Sequence, residues 1–310
     1  MIRVLAESGN DHLARVFSAQ TSAGGLVEFV ESVQPPVPLY EKWVLIISTL
    51  YGCPVGCLFC DAGNFYEGMV SADDILAQIE YLVRRRFPGG VPGTRRLKIQ
   101  FARMGEPSLN PAVLTVLERL PHMYPADILF PALSTIAPAG AKGFFEELMR
   151  VKNRFYGRRF QLQFSIHSTD HRIRDRLMPA AKWNLETIAD YGALFHREGE
   201  RKVTLNFALA ENTPVDAGAL RRHFDPDIFL IKVTPVNPTY QAVANRITSS
   251  IGPGAGDCHV IRQLRECGYE VLLSIGELEE NHIGSNCGQH LTHYLNESRA
   301  LPDSYTYPIH

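Results

Sequence analysis

Three cysteines fall within eight residues, Cys53-Pro-Val-Gly-Cys57-Leu-Phe-Cys60. Thiolates are soft ligands suited to iron–sulfur clusters or zinc. On one tight loop, at intervals of four and three residues, they converge on a single centre. A 4Fe–4S cluster held by three cysteines leaves one iron without a protein ligand, and an open metal position is where a substrate or cosubstrate binds. A structural zinc site is the competing reading. Such sites are closed, four-coordinate and usually built from paired Cys-x-x-Cys knuckles. Here there is no second knuckle, and a fourth ligand would have to come from Cys258, Cys267, Cys287 or a distant histidine.

The rest of the chain must position that loop. At 310 residues it is long enough for one large α/β barrel. Its 31 basic and 33 acidic residues nearly balance, so no field over the whole molecule draws it to nucleic acid or anionic lipid. The arginine patches at Arg84 to Arg86, Arg95 with Arg96, Arg158 with Arg159 and Arg221 with Arg222 read most simply as solvated helix ends and loops. The N-terminal residues do not form a signal peptide, and no apolar run approaches the ~18 residues of a membrane span. With six cysteines, three in one loop, the chain is expected in the reducing cytoplasm.

Residues 1–42 hold short alternating segments, Ile2 to Leu5, Ala14 to Ala19 and Leu26 to Val33, separated by turn residues. They predict a small N-terminal antiparallel β extension. From Trp43 onward, apolar runs alternate with amphipathic helical stretches, the pattern of consecutive β-α units and a parallel sheet. Strands are expected at 43–49, 97–102, 128–135, 160–168, 203–210 and 228–235, with 271–275 as a possible last one. Helices are expected at 71–86, 111–120, 140–153, 184–198, 216–223 and near 258–267, with caps at Ser71 and Asn184. The fold class is α/β, a partial (β/α)6 barrel over residues 43–276. A C-terminal loop segment, 277–310, carries Cys287.

In parallel α/β folds chemistry sits beyond the C-terminal ends of the strands. The cysteine loop lies there, after the first strand. The other strand ends are polar: Met104-Gly105-Glu106-Pro107, Ser134-Thr135, Ser165-Ile166-His167-Ser168 and Pro235-Val236-Asn237-Pro238. Singly these are weak signals. Glu106 alone reads as a solvated loop acid, Ser165 as a turn residue and His167 as a core histidine. Together, at successive strand ends on one side, they describe a cofactor site.

The CxxxCxxC spacing with Phe59 before its last cysteine resembles the signature of the radical S-adenosylmethionine (SAM) enzymes. Met104-Gly-Glu-Pro-Ser-Leu-Asn110, Phe164-Ser-Ile-His-Ser168 with Arg174-Asp175 and Leu177-Met178-Pro179, Pro235-Val-Asn-Pro238 and Asn286-Cys287-Gly288-Gln289 resemble the RlmN/Cfr family of RNA adenine methyltransferases within it. The resemblance implies a 4Fe–4S cluster on Cys53, Cys57 and Cys60, with SAM chelated to the free iron and cleaved by an electron to a 5′-deoxyadenosyl radical. It implies SAM contacts from Gly105, Glu106, Ser134, Ser165, His167 and Asn237, and a reducing partner such as flavodoxin or ferredoxin. It implies that Cys287 accepts a methyl group. In its polar, glycine-flanked segment that thiol is expected to be accessible, to carry a methyl group or to donate a hydrogen atom. The family's second catalytic cysteine falls at Ile46, and the N-terminal helical domain by which RlmN engages RNA has no counterpart in the sequence. The expectation is therefore a radical SAM enzyme acting on a small molecule rather than RNA, away from membranes. The alternatives are an RNA adenine methyltransferase and a non-catalytic metal- or RNA-binding barrel.

Overall fold

The structure, a computed structural model, describes residues 2–252, 258–275, 283 and 288–295. Three antiparallel strands come first: β1 (Arg3–Gly9), β2 (Ala14–Gln20) and β3 (Leu26–Ser32). β3 pairs antiparallel with β4 (Trp43–Ile47), so the N-terminal strands continue the main sheet instead of forming a separate layer. A two-stranded hairpin follows, β5 (Leu50–Gly52) with β6 (Tyr66–Met69), and the cysteine loop runs between them.

The sheet then proceeds through β7 (Leu97–Phe101), β8 (Leu129–Thr135), β9 (Gln161–Ser165), β10 (Val203–Leu209), β11 (Phe229–Pro235) and β12 (Val271–Leu273). All are parallel in chain order, as in a partial barrel. The helices are α1 (Ala72–Arg86), α2 (Ala112–Met123), α3 (Lys142–Val151), α4 (His171–Leu177), α5 (Leu185–Phe195), α6 (Ala217–His223), α7 (Tyr240–Ala244), α8 (His259–Glu266) and α9 (Gln289–Leu295). Sequence periodicity does not reveal α4, α7 and α9, of seven, five and seven residues, because each is too short to establish a period. The segment expected as a C-terminal loop thus contains a helix.

Local chemistry explains the longer elements. Ser71 caps α1 by accepting the Asp74 N–H at 3.1 Å, with Asp73 in the first turn and Arg84 to Arg86 in the last, matching the helix dipole. Ile75, Leu76, Ile79, Leu82 and Val83 recur at helical spacing and are buried against the sheet. In β7, Leu97, Ile99 and Phe101 join that core, which leaves Lys98 and Gln100 on the barrel's inner face.

Phe145 on α3 is the centre of an aromatic cluster, with Trp183 at 4.6 Å and Tyr191 at 5.1 Å between ring centroids. The arginines ending α1 are not simply solvated. Arg85 and Arg86 both pair with Glu31, which is 1% exposed, and fasten the helix to β3. Among the described residues no helix is long and apolar enough to cross a membrane. Phe145→Ala empties the aromatic centre and is expected to cost about 3–5 kcal/mol in chemical denaturation.

Candidate functional site

The cysteine loop is held from four directions. The Cys53 N–H donates to Phe65 O at 2.9 Å, closing the β5–β6 hairpin behind it, and the Leu58 N–H donates to Leu177 O at 3.0 Å. Gly52, at φ +79, takes a conformation that glycine permits, and a Cβ there would lie 1.9 Å from Phe65 O. From α7, the Thr239 hydroxyl donates to Phe59 O at 3.0 Å and the Asn245 amide to Leu58 O at 2.9 Å. Asp61, fully buried beside Cys60, accepts the Tyr240 and Gln241 N–H groups at 3.1 and 2.8 Å. Burial raises the Asp61 carboxyl to about 6, against the pull of those two donors. Sequence reasoning misses this clamp because its halves are some 180 residues apart. The one local signal is Thr239, a capping residue before a short helix.

The three cysteines are reduced and partly buried. Burial and then the charge of Cys60 push the Cys53 thiol up to about 12. Burial raises the Cys57 thiol too, followed by Cys60, Cys53 and Glu106. Val55, Ile136, Leu177, Met178 and Phe59 form the apolar wall on one side. Among the described residues no group of three or more His, Cys, Asp or Glu side chains is placed to share one metal ion. Soft thiolates on one loop are donors for an iron–sulfur cluster or for zinc.

Glu106 lies next to them, and the Cys53 sulfur receives backbone N–H groups from Val55 and Glu106 itself. Its side chain, 4% exposed, accepts from the Ser108 hydroxyl (2.7 Å), the Thr135 hydroxyl (2.5 Å), the Ser108 N–H (3.1 Å) and the Ile136 N–H (2.9 Å). Burial raises its carboxyl above the usual range, and the neutral donors oppose the shift. It is thus a core acid and not the solvated loop acid that its sequence alone suggests. Gly105 stands at φ +99, where a Cβ would fall 2.5 Å from Leu50 Cβ. Its role is to let the strand end pass β5.

His167 is 5% exposed and in the left-handed region at φ +62. Its ring meets Phe59 edge-on at 5.0 Å, and Nδ1 accepts the Ala208 N–H at 3.0 Å, which leaves the proton on Nε2. Burial, then Arg174, lowers its pKa to about 3. Ser134, Ser165 and Asn237 are half-buried at their strand ends, and their side chains make no hydrogen bond to the cysteine loop. Beside the loop a cleft of about 470 Å³ is lined by residues including Leu58, Arg176, Leu177, Asn212 and Arg246.

Cys287 lies outside the described residues. Its neighbour Gly288 is described: at φ +77 it packs on the cysteine loop so closely that a Cβ would lie 2.1 Å from Ala62 N. Buried Glu28 accepts the Gly288 N–H and, at 2.9 Å, the Leu291 N–H, and pairs with Arg103 at 2.7 Å. His290 on α9 bonds Ser18 of β2 at 2.7 Å. Ile46 packs against the apolar cluster of Leu13, Ala14, Val16, Val30 and Ile283.

No family model matches the chain. It is 28% identical over 269 residues to a probable dual-specificity RNA methyltransferase RlmN of Chlorobaculum tepidum, covering 84% of this chain and 67% of that protein. It is 27% identical over 280 residues to the Cutibacterium acnes protein of the same name, covering 86% and 66%. A radical SAM methyltransferase structure from Sphaerobacter thermophilus superimposes with a TM-score of 0.69 at 21% identity, covering 93% of this chain and 80% of that one. The chain is thus similar in sequence to RlmN proteins and in fold to a radical SAM methyltransferase. It spans about two thirds of the length of the RlmN relatives it matches. The cofactors of radical SAM methyltransferases are a 4Fe–4S cluster and SAM, and the donor set around this RlmN-like loop fits both.

Because the His167 shift is downward, the neutral ring's contribution to stability is complete above 6.5 and is lost as pH falls toward about 3. Imidazole nitrogen NMR is expected to find His167 neutral, protonated on Nε2, throughout the neutral range. A His167 that titrates near 6.5 is incompatible with this site.

Proposed function

We propose that the chain is a radical SAM enzyme whose Cys53, Cys57 and Cys60 hold a 4Fe–4S cluster, with Gly105, Glu106, Ser134, Ser165, His167 and Asn237 around SAM. When bound, the cluster would supply the electron for reductive cleavage of SAM, while the residues named here would hold and orient that SAM. The observation that carries this reading is Glu106. A buried carboxylate beside three thiols is bonded only to neutral donors, and an ammonium group is the partner its charge calls for. His167 presents an Nε2–H suited to an oxygen acceptor, and the Ser134 and Ser165 hydroxyls and the Asn237 amide suit a carboxylate and ribose hydroxyls. Phe59 and the apolar wall keep water away from the thiols.

For the substrate, we infer a small molecule, with Cys287 as methyl carrier or hydrogen-atom donor. The support is Ile46, which stands where the RlmN/Cfr pattern has its second cysteine and packs in an apolar contact instead. A route that resolves a protein–substrate adduct by disulfide formation has no second thiol at that place. The competing reading is RNA adenine methylation. It is favoured by the names of the relatives and by Arg176 and Arg246 at the rim of the cleft beside the loop, where phosphates could be met.

Glu106→Gln is expected to weaken SAM binding tenfold or more, about 1.4 kcal/mol, while leaving the iron content of the reconstituted protein unchanged. Anaerobic reconstitution with a reductant is expected to release 5′-deoxyadenosine from wild type and none from Cys57→Ala. An iron-free wild type, or a reduced protein that leaves SAM intact, overturns the radical SAM reading. Incubation with RNA and SAM separates the two substrates: methyladenine formed by wild type and lost in Cys287→Ala establishes the RNA reading, and its absence from an enzyme that cleaves SAM supports a small molecule.

A further inference from the structure

Among the parallel strands β7 to β11, β10 is the one to which the proposed SAM site assigns no residue. Its sequence, Val203-Thr-Leu-Asn-Phe-Ala-Leu209, alternates. Val203, Leu205, Phe207 and Leu209 join the helix-packed core, so Thr204, Asn206 and Ala208 face the inside of the barrel. Asparagine is disfavoured in strands, and on an inner face its amide needs partners.

Asn206 stands among the residues placed around SAM. In the register of the sheet it pairs with Ser165 of β9. Its carbonyl accepts the Ile166 N–H at 2.9 Å and the His167 N–H at 3.3 Å, and two residues on, the Ala208 N–H holds the His167 ring at 3.0 Å. Ala208 belongs to an apolar group against which Phe59 of the cysteine loop packs. Residues at one level of neighbouring strands point to the same side about 4.8 Å apart. The Asn206 amide therefore leaves the sheet beside the Ser165 hydroxyl, two residues deeper in the barrel than Ala208. Its Oδ1 is sealed from solvent and has no hydrogen-bond partner among the described residues. One step deeper still, the Thr204 hydroxyl accepts the Gln161 amide at 3.3 Å, so that polar residue is satisfied within the protein. A buried amide oxygen without a donor is costly to the fold. The residue as a whole is half-buried, and the χ2 torsion of asparagine is broad, so a small rotation turns the oxygen toward a ligand in the lumen.

We propose that Asn206 recognises an adenine ring, its Oδ1 accepting from the 6-amino group and its Nδ2 donating to a ring nitrogen. A carboxamide carries an acceptor and a donor side by side, the complement of what the edge of adenine presents. Of the groups of SAM, adenine is the one with no side chain yet assigned to it. Glu106 answers the ammonium, and Ser134, Ser165, His167 and Asn237 answer the carboxylate and the ribose hydroxyls. The adenine of SAM is therefore the first source of the ring, and the adenine of a substrate lying against SAM is the second. The role of Asn206 rests on the radical SAM reading and adds to it the residue that reads the base.

The test is binding to the anaerobically reconstituted full-length protein without reductant. Adenosine is compared with purine riboside, which lacks the 6-amino group, as a competitor of labelled SAM. Adenosine is expected to displace SAM at a concentration about tenfold lower, the effect of leaving the Asn206 oxygen without its donor. Asn206→Leu is expected to abolish that preference. Asn206→Ser, smaller and polar, falls short of the base and is expected to abolish it too, so the test does not hang on the folding of the leucine variant. Asn206→Asp keeps an acceptor and is expected to keep the preference. Displacement of SAM with this pattern assigns the adenine of SAM. The same pattern in nucleoside binding to SAM-saturated protein assigns the adenine of a substrate. A wild type that treats the two nucleosides alike in both experiments, or a folded Asn206→Leu or Asn206→Ser that keeps the preference, overturns the proposal. Iron content and 5′-deoxyadenosine release from reduced wild type judge the radical SAM reading separately: an enzyme that cleaves SAM but shows no preference sinks the role of Asn206 alone.

Discussion

Three thiols and one carboxyl group share a buried space in which desolvation outweighs the attraction of Lys182 for Cys57. Such a set is costly in a low-dielectric interior, and the thiol and carboxyl pKa values rise accordingly. The cost falls when metal binds the thiolates as their protons are released and when a positive group meets the carboxylate. Much of the surrounding structure can be understood as keeping these groups together despite that cost. The β5–β6 hairpin fixes the first cysteine, Asp61 ties the end of the loop to α7, and Thr135, Ser108 and Ile136 fix the orientation of Glu106.

The N-terminal strands belong to the same arrangement. They extend the sheet past β4 and bring Glu28 to its inner face, where it receives two N–H groups from residues 288–291. Burial raises the Glu28 carboxyl, opposed by Arg103 and those donors, so this acid is balanced within the protein. Gly288 then rests on the cysteine loop. The strands that look accessory in the sequence thus hold the end of the described chain against the loop.

The sequence by itself determined whatever depends on short-range spacing. The cysteine intervals, the alternation that makes β7 to β11 strands, and the caps at Ser71 and Asn184 are all local, and the α/β partial barrel follows from them. Gly105 and Glu106 were legible as a pair, although only the structure shows that the glycine makes room for Leu50 and that the acid is buried. Tertiary structure alone decided the Asp61–α7 clamp, the packing of Ile46 against the apolar cluster that includes Ile283, and the pairing of Arg85 and Arg86 with Glu31. Each joins residues dozens to hundreds of positions apart. Their proximity is set by how strands order themselves in a sheet, which no local periodicity encodes.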